Sequence, residues 1–301
     1  MRSILRFFIL AWLAGAAAGA HAALNVFATV PEWAALSQEL GGDKVRVYQA
    51  TSPLQDPHHV QAKPSLIARA RTADLVVATG AELEVGWLPL VLQQAGNDKV
   101  QPGGAGYFEA TSVVPMLGKP TRLDRAEGDI HPQGDPHIQG DPRNIARVAD
   151  ALSGRLAQVD PADAAYFRAR HDDFAARWKA AIAKWEQEAA PLKGVRVVVQ
   201  HKGFTYLEAW LGLQEIAALE PKPGMEPTTS HLSEVLATLQ RTPAKMVLRA
   251  AYQSDQASAW LAQRTQIRVV ELPFTVGGTE GAKDLFGFYE DTIQRLLKGA
   301  S

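Results

Sequence analysis

Cysteine is absent from all 301 residues. Disulfides are thereby excluded, as is every thiolate metal site, so a bound transition metal must be held by nitrogen and oxygen. Neither charge is in excess: 31 Lys and Arg stand against 32 Asp and Glu. Nothing in that balance suggests nucleic acid, for which affinity depends on clustered basic residues. Beyond residue 22 no apolar run reaches the roughly 18 uninterrupted residues of a membrane-spanning helix. Signatures of hydrolytic chemistry are missing too: there is no His-Glu-x-x-His phrase, nucleophile elbow or paired-carboxylate motif.

What is present begins with an export pattern. Arg2 and Arg6 form a positive start, Phe7 to Ala20 an apolar stretch of 14 residues, and Ala20-His21-Ala22 a small-x-small cleavage site. Residues 1–22 are therefore expected to be a signal peptide. Its removal leaves 29 basic against 32 acidic residues. A lipid anchor needs a cysteine at the cleavage site, so the expectation is a free protein of the periplasm. About 279 remaining residues are enough for two compact domains.

Short β-rich runs alternate with helical stretches: LNVFATV, VRVYQA and ADLVVATG in the first half, VRVVVQ, LQEIAAL, KMVLRA and IRVVELP in the second. This is the pattern of βαβ units on mostly parallel sheets. The fold class expected is α/β, with two lobes, each a mostly parallel sheet flanked by helices, at 23–158 and 194–301. A single long helix within 159–193 should join them, opened by Asp160 and Pro161 and closed by Pro191 and Gly194. Read as one helix over Pro161 to Ala190, it is roughly 45 Å long at 1.5 Å per residue. The polar, Gly- and Pro-containing stretch from Gly118 to Gln133 reads as a mobile loop, and a strand is expected near Ala110 to Val113.

Four residues that can bind a cation each follow a predicted strand and precede or open a predicted helix: His58, His137, His201 and Asp284. In parallel α/β sheets ligands bind outside the carboxyl ends of strands. The first half contributes His58 and His137, the second His201 and Asp284, so an ion held by all four would lie between the lobes. Each histidine alone could equally be a loop residue bonded to backbone or water. Asp284 competes with a helix-capping role, and with Glu280 and Asp291 as alternative carboxylates. His59 reads as solvent-facing, His131 as a solvated loop residue, and His171 and His231 as structural. Asp56 and Asp135, two residues before a histidine, either form a turn or orient the imidazole.

Two of these histidines sit in similar phrases, DPHHVQAKPS and DPHIQGDPRN, and the third in VVVQHKGFTYLEAWLGL; Asp284 lies in GAKDLFGFYEDTI. In these phrases the chain resembles the substrate-binding proteins of zinc- and manganese-type ABC transporters, over about Leu24 to Leu297. The resemblance implies two α/β lobes joined by a long helix, and a monomer that captures a metal ion and delivers it to a membrane permease. Manganese-type members place Glu where this chain has His201, and three imidazoles with a carboxylate suit tetrahedral zinc, so the expected cargo is Zn2+. Receptors for manganese, iron or a chelated metal are the alternatives. A secreted zinc hydrolase is a further one, which the fourth protein ligand disfavours by occupying the position water needs. Many zinc-type members carry a long His- and acid-rich insertion before the second ligand. This chain has only Asp124, Glu127, Asp129, His131 and Asp135 there, so loading falls either to a shorter loop or to a periplasmic zinc chaperone.

Overall fold

The computed structural model describes residues 22–120 and 128–301. The expected signal peptide, apart from Ala22, and residues 121–127 of the polar loop lie outside the described residues. Two parallel four-stranded sheets organise the chain. The first has order β2-β1-β3-β4, from β1 (Leu24–Ala28), β2 (Val45–Gln49), β3 (Leu75–Ala78) and β4 (Tyr107–Glu109). The second repeats it as β6-β5-β7-β8, from β5 (Arg196–Val199), β6 (Gln214–Ala218), β7 (Met246–Ala250) and β8 (Arg268–Leu272). In both, the chain leaves the first strand to one side and then crosses to the other, which opens a crevice at the carboxyl ends.

Alternation along the strands explains why both faces of each sheet are covered. Val26, Ala28, Leu75 and Val77 enter one cluster, while Phe27, Val76 and Ala78 enter another on the opposite face with α2 (Pro64–Arg71) and α3 (Leu88–Ala95). In the second sheet Val197, Val199, Met246 and Leu248 join that first cluster, and Val198 and Val247 pack outward on α7 (Thr229–Arg241) and α8 (Gln256–Thr265). Parallel strands buried on both faces read as the continuous apolar runs seen in the sequence. The inner faces of both sheets thus share a single central core. Between them lie α1 (Pro31–Gly41), α4 (Pro142–Val159), α5 (Ala164–Glu188), α6 (Thr205–Leu211) and α9 (Leu285–Ala300).

The helix α4 buries Ile145, Val148, Ala149, Leu152 and Leu156, a stripe at three- and four-residue steps. Asp141 caps it by accepting from Arg143 N at 2.8 Å, with Pro142 in the first turn. The connecting helix α5 is 25 residues long, shorter than the sequence suggests. Asp160 caps a separate 3-10 turn at Pro161–Asp163, and another such turn, containing Pro191, follows at Ala190–Leu192. Its buried face is Phe167, Phe174, Trp178 and Trp185. Trp178 stacks on Phe174 with ring centroids 5.1 Å apart and donates to Pro142 O at 2.8 Å. The segment Ala110–Val113 is a 3-10 turn, and the strand expected there lies just before it as β4.

Candidate metal centre

His58 stands in the loop after β2, His137 beyond β4, and His201 two residues past β5. The structure brings the three rings together: centroids lie 5.3 Å apart for His58 and His137, 5.8 Å for His137 and His201, and 6.2 Å for His58 and His201. Imidazoles bound to one tetrahedral zinc at about 2.0–2.1 Å would have centroids roughly 5 Å apart. As they stand, no three His, Asp or Glu side chains among the described residues meet closely enough to hold an ion. The observed separations exceed that spacing by roughly 0.3 to 1.2 Å.

The two Asp-Pro-His phrases build the same local structure. Asp56 Oδ1 accepts from His58 backbone N at 2.9 Å and pairs with its Nδ1 at 2.8 Å. Asp135 Oδ1 does the same for His137, at 2.9 and 2.6 Å. One carboxylate oxygen therefore both closes the turn and orients the ring, so the two roles open for these aspartates are one. The carboxylate draws the ring proton to Nδ1 and leaves Nε2 as the free donor. Burial opposes ionisation of both aspartates, yet the bonds and charge of the neighbouring histidine bring each down to about 2.

His201 finds its carboxylate elsewhere in the fold. Its Nδ1 pairs with Glu220 Oε2 at 2.7 Å, and that oxygen also accepts from Gly224 N at 2.8 Å. Burial disfavours the charged ring, but the Glu220 bond outweighs it and raises the His201 pKa. Burial lowers that of His137. Glu220 carries no signal in the sequence, since its relation to His201 depends on β5 and β6 lying side by side. His58 and His201 line an open cavity of about 300 Å³ together with Asp56, Asp129 and Glu220.

Asp284 is not brought to this cluster. It is exposed at the start of α9, where its Oδ1 accepts from Gly287 N at 2.8 Å. Neither competing carboxylate replaces it: Glu280 is exposed, and Asp291 pairs with Arg295 Nε at 2.6 Å. The sequence signal for Asp284, an acid opening a helix after a strand, is the same for a cap and for a ligand. Asp284→Ala should accordingly cost about 1 kcal/mol of stability through the lost cap and leave metal affinity unchanged. Thermal melting beside a metal titration checks both halves.

The remaining histidines divide. The His59 side chain is exposed, 3.7 Å from Asp129, and His231 Nε2 bonds Ala218 O at 2.9 Å. His171 lies on α5 near Asp150. His131, by contrast, is drawn in: its centroid is 5.4 Å from His58 and 6.4 Å from His137. Its Nδ1 bonds Ala81 O at 2.9 Å, and burial, with the two neighbouring imidazoles, lowers its pKa to about 4. It is not the solvated loop residue that the sequence suggests.

Comparison with known proteins gives a consistent picture. Residues 26–299 match the family described as ZnuA, zinc-uptake complex component A, periplasmic. The manganese ABC transporter substrate-binding lipoprotein PsaA of Streptococcus anginosus is 20% identical over 290 residues, covering 92% of this chain and 89% of that protein. A crystal structure of a zinc-bound ZnuA deletion mutant superposes with a TM-score of 0.78 at 22% identity, covering 93% of this chain and 98% of the other. The periplasmic zinc binding protein TroA of Treponema pallidum gives 0.76 at 17% identity, over 93% and 99%.

Proposed function

This chain belongs to the ZnuA family of zinc-uptake complex components, and from that premise we propose that its cargo is Zn2+, captured by His58, His137 and His201. The protein is a metal-binding substrate-binding component of an ABC importer, acts outside the cytoplasm with a membrane permease as partner, and is not an enzyme. The single observation that supports zinc is the approach of three imidazoles, each with Nδ1 on a carboxylate. Three neutral nitrogen donors suit a borderline tetrahedral cation, whereas manganese prefers more oxygen. His201 is the discriminating member, since an acid there would add oxygen. The export pattern of residues 1–22 supports a periplasmic location.

Competitive calorimetry with zinc and manganese tests the reading. One zinc per chain should bind more tightly than manganese, in the direction of the affinity order for divalent ions. Tighter manganese binding would instead make this a manganese receptor like the relatives so named.

Proton competition supplies a second check. A coordinating imidazole must be neutral, so metal binding displaces protons. His201, whose pKa is raised, takes up a proton first as pH falls, while His137, whose pKa is lowered, stays neutral to lower pH. Zinc affinity should therefore begin to fall above the ordinary histidine value of about 6.5, and protons released per zinc should rise as pH falls further. Affinity that stays flat between pH 8 and about 5.5 would count against histidine ligation.

A further inference from the structure

We propose that His131 supplies a fourth nitrogen to the same ion, making the loaded site four imidazoles, and that this residue strengthens the preference for zinc over manganese that His201 provides. The inference rests on the zinc-capture reading above and adds to it the ligand that Asp284 does not provide.

The first support is an accounting of buried polar atoms. Nine buried side-chain nitrogen and oxygen atoms among the described residues have no hydrogen-bond partner, and three of them are Nε2 of His58, His131 and His137. Buried polar atoms are ordinarily paired, so three orphans of one type on neighbouring rings call for a common partner. All three are lone-pair donors, because each Nδ1 is already committed: to Asp56, to Ala81 O and to Asp135. A cation answers three lone pairs at once.

The second support is the construction of the His131 mount. Ala81, whose carbonyl receives His131 Nδ1, has φ +48°, between Gly80 at +90° and Glu82 at +66°. Two non-glycine residues in the left-handed region persist only where the surroundings over-determine them. Here the buried Glu84 carboxylate anchors the residues just before them, accepting from Thr79 N at 2.8 Å, Gly80 N at 3.1 Å and Thr29 Oγ1 at 2.6 Å, and Ala81 N donates to Glu109 Oε1 at 3.2 Å. The resulting turn holds the Ala81 carbonyl against the His131 ring.

The third support ties His131 to both sides of the cleft. Gly134 N donates to His131 O at 3.0 Å, in the segment His-Pro-Gln-Gly-Asp-Pro-His that ends at His137. Gly134 has φ +120°, and a Cβ there would stand 2.5 Å from Leu117 O. Two residues before His131, Asp129 N donates to Pro223 O at 3.0 Å, in the loop whose Glu220 and Gly224 support His201. The segment that carries His131 is thus tied to the supports of the other ligands.

Four imidazoles close a tetrahedral site with no oxygen donor, which favours zinc and disfavours manganese. Zinc K-edge X-ray absorption of the zinc-loaded full chain should count four imidazoles; three with an oxygen donor would overturn the proposal. Calorimetry with zinc and with manganese then compares His131→Ala, His131→Asp and His58→Ala, with apo melting as the folding control. His131→Ala should weaken zinc at least roughly 100-fold, since even residues that only orient a ligand cost 10–100-fold. Manganese binding should change far less. His131→Asp should recover much of the zinc affinity and bind manganese more tightly than the unaltered chain. Unchanged zinc affinity in His131→Ala, alongside its loss in His58→Ala, would remove His131 and leave zinc capture standing. No zinc binding by the unaltered chain would remove both.

Discussion

Replacing His137 with alanine is expected to lower zinc affinity by well over about 100-fold, the upper range for groups that merely orient a ligand. The side chain is only 3% exposed and its ring lies 5.3 and 5.8 Å from those of His58 and His201, so the change removes a nitrogen donor from the middle of the cluster. His58→Ala and His201→Ala should fall in the same range. Asp135→Asn should cost less, because the amide can still close the turn yet presents no charge to favour a proton at His137 Nδ1. Chelator competition reads all four, and wild-type affinity in any alanine variant would take that histidine out of the site. Melting of each apo variant separates lost ligation from lost fold.

Zinc should also raise the melting temperature substantially. A ligand bound by the folded state alone stabilises it by about 4 kcal/mol when present at a thousand times its dissociation constant. For a chain of this size that corresponds to roughly 10 °C. The mechanism is local: the ion pairs with the buried Nε2 atoms of His58 and His137, which otherwise have no partner. Calorimetric scans with zinc and with chelator should differ by this amount, and superimposable scans would refute a native site at these histidines.

The sheets were legible because strands buried on both faces are mostly apolar, as the strands in VRVVVQ and KMVLRA are apart from Arg196 and Arg249. His58 and His137 were legible for a local reason as well, since Asp-Pro-His places a carboxylate within two residues of the ring it orients. The parts that were not legible depend on distance in the chain. Glu220 reaches His201 only because parallel pairing sets β6 beside β5, and His131 reaches the cluster only because the turn after β3 offers a carbonyl at Ala81. Asp284 misled because a helix cap and a metal ligand call for the same residue at the same place. The length of α5 was overread because 3-10 turns at both ends share its composition.

The central core has no seam. Val26 and Leu75 of the first sheet, Val197 and Met246 of the second, and Phe167, Trp178 and Trp185 of α5 belong to one continuous apolar body. A chain severed between α4 and α5 would expose that body on both fragments, so the halves are not independent folding units, whatever the symmetry of their topologies. Loss of order in either sheet withdraws support from the other, so a single cooperative unfolding transition is expected in a calorimetric scan. Release of cargo is constrained by the same fact. Spreading the halves apart would expose that body to water, so the turns that carry the imidazoles are the parts able to shift without that cost.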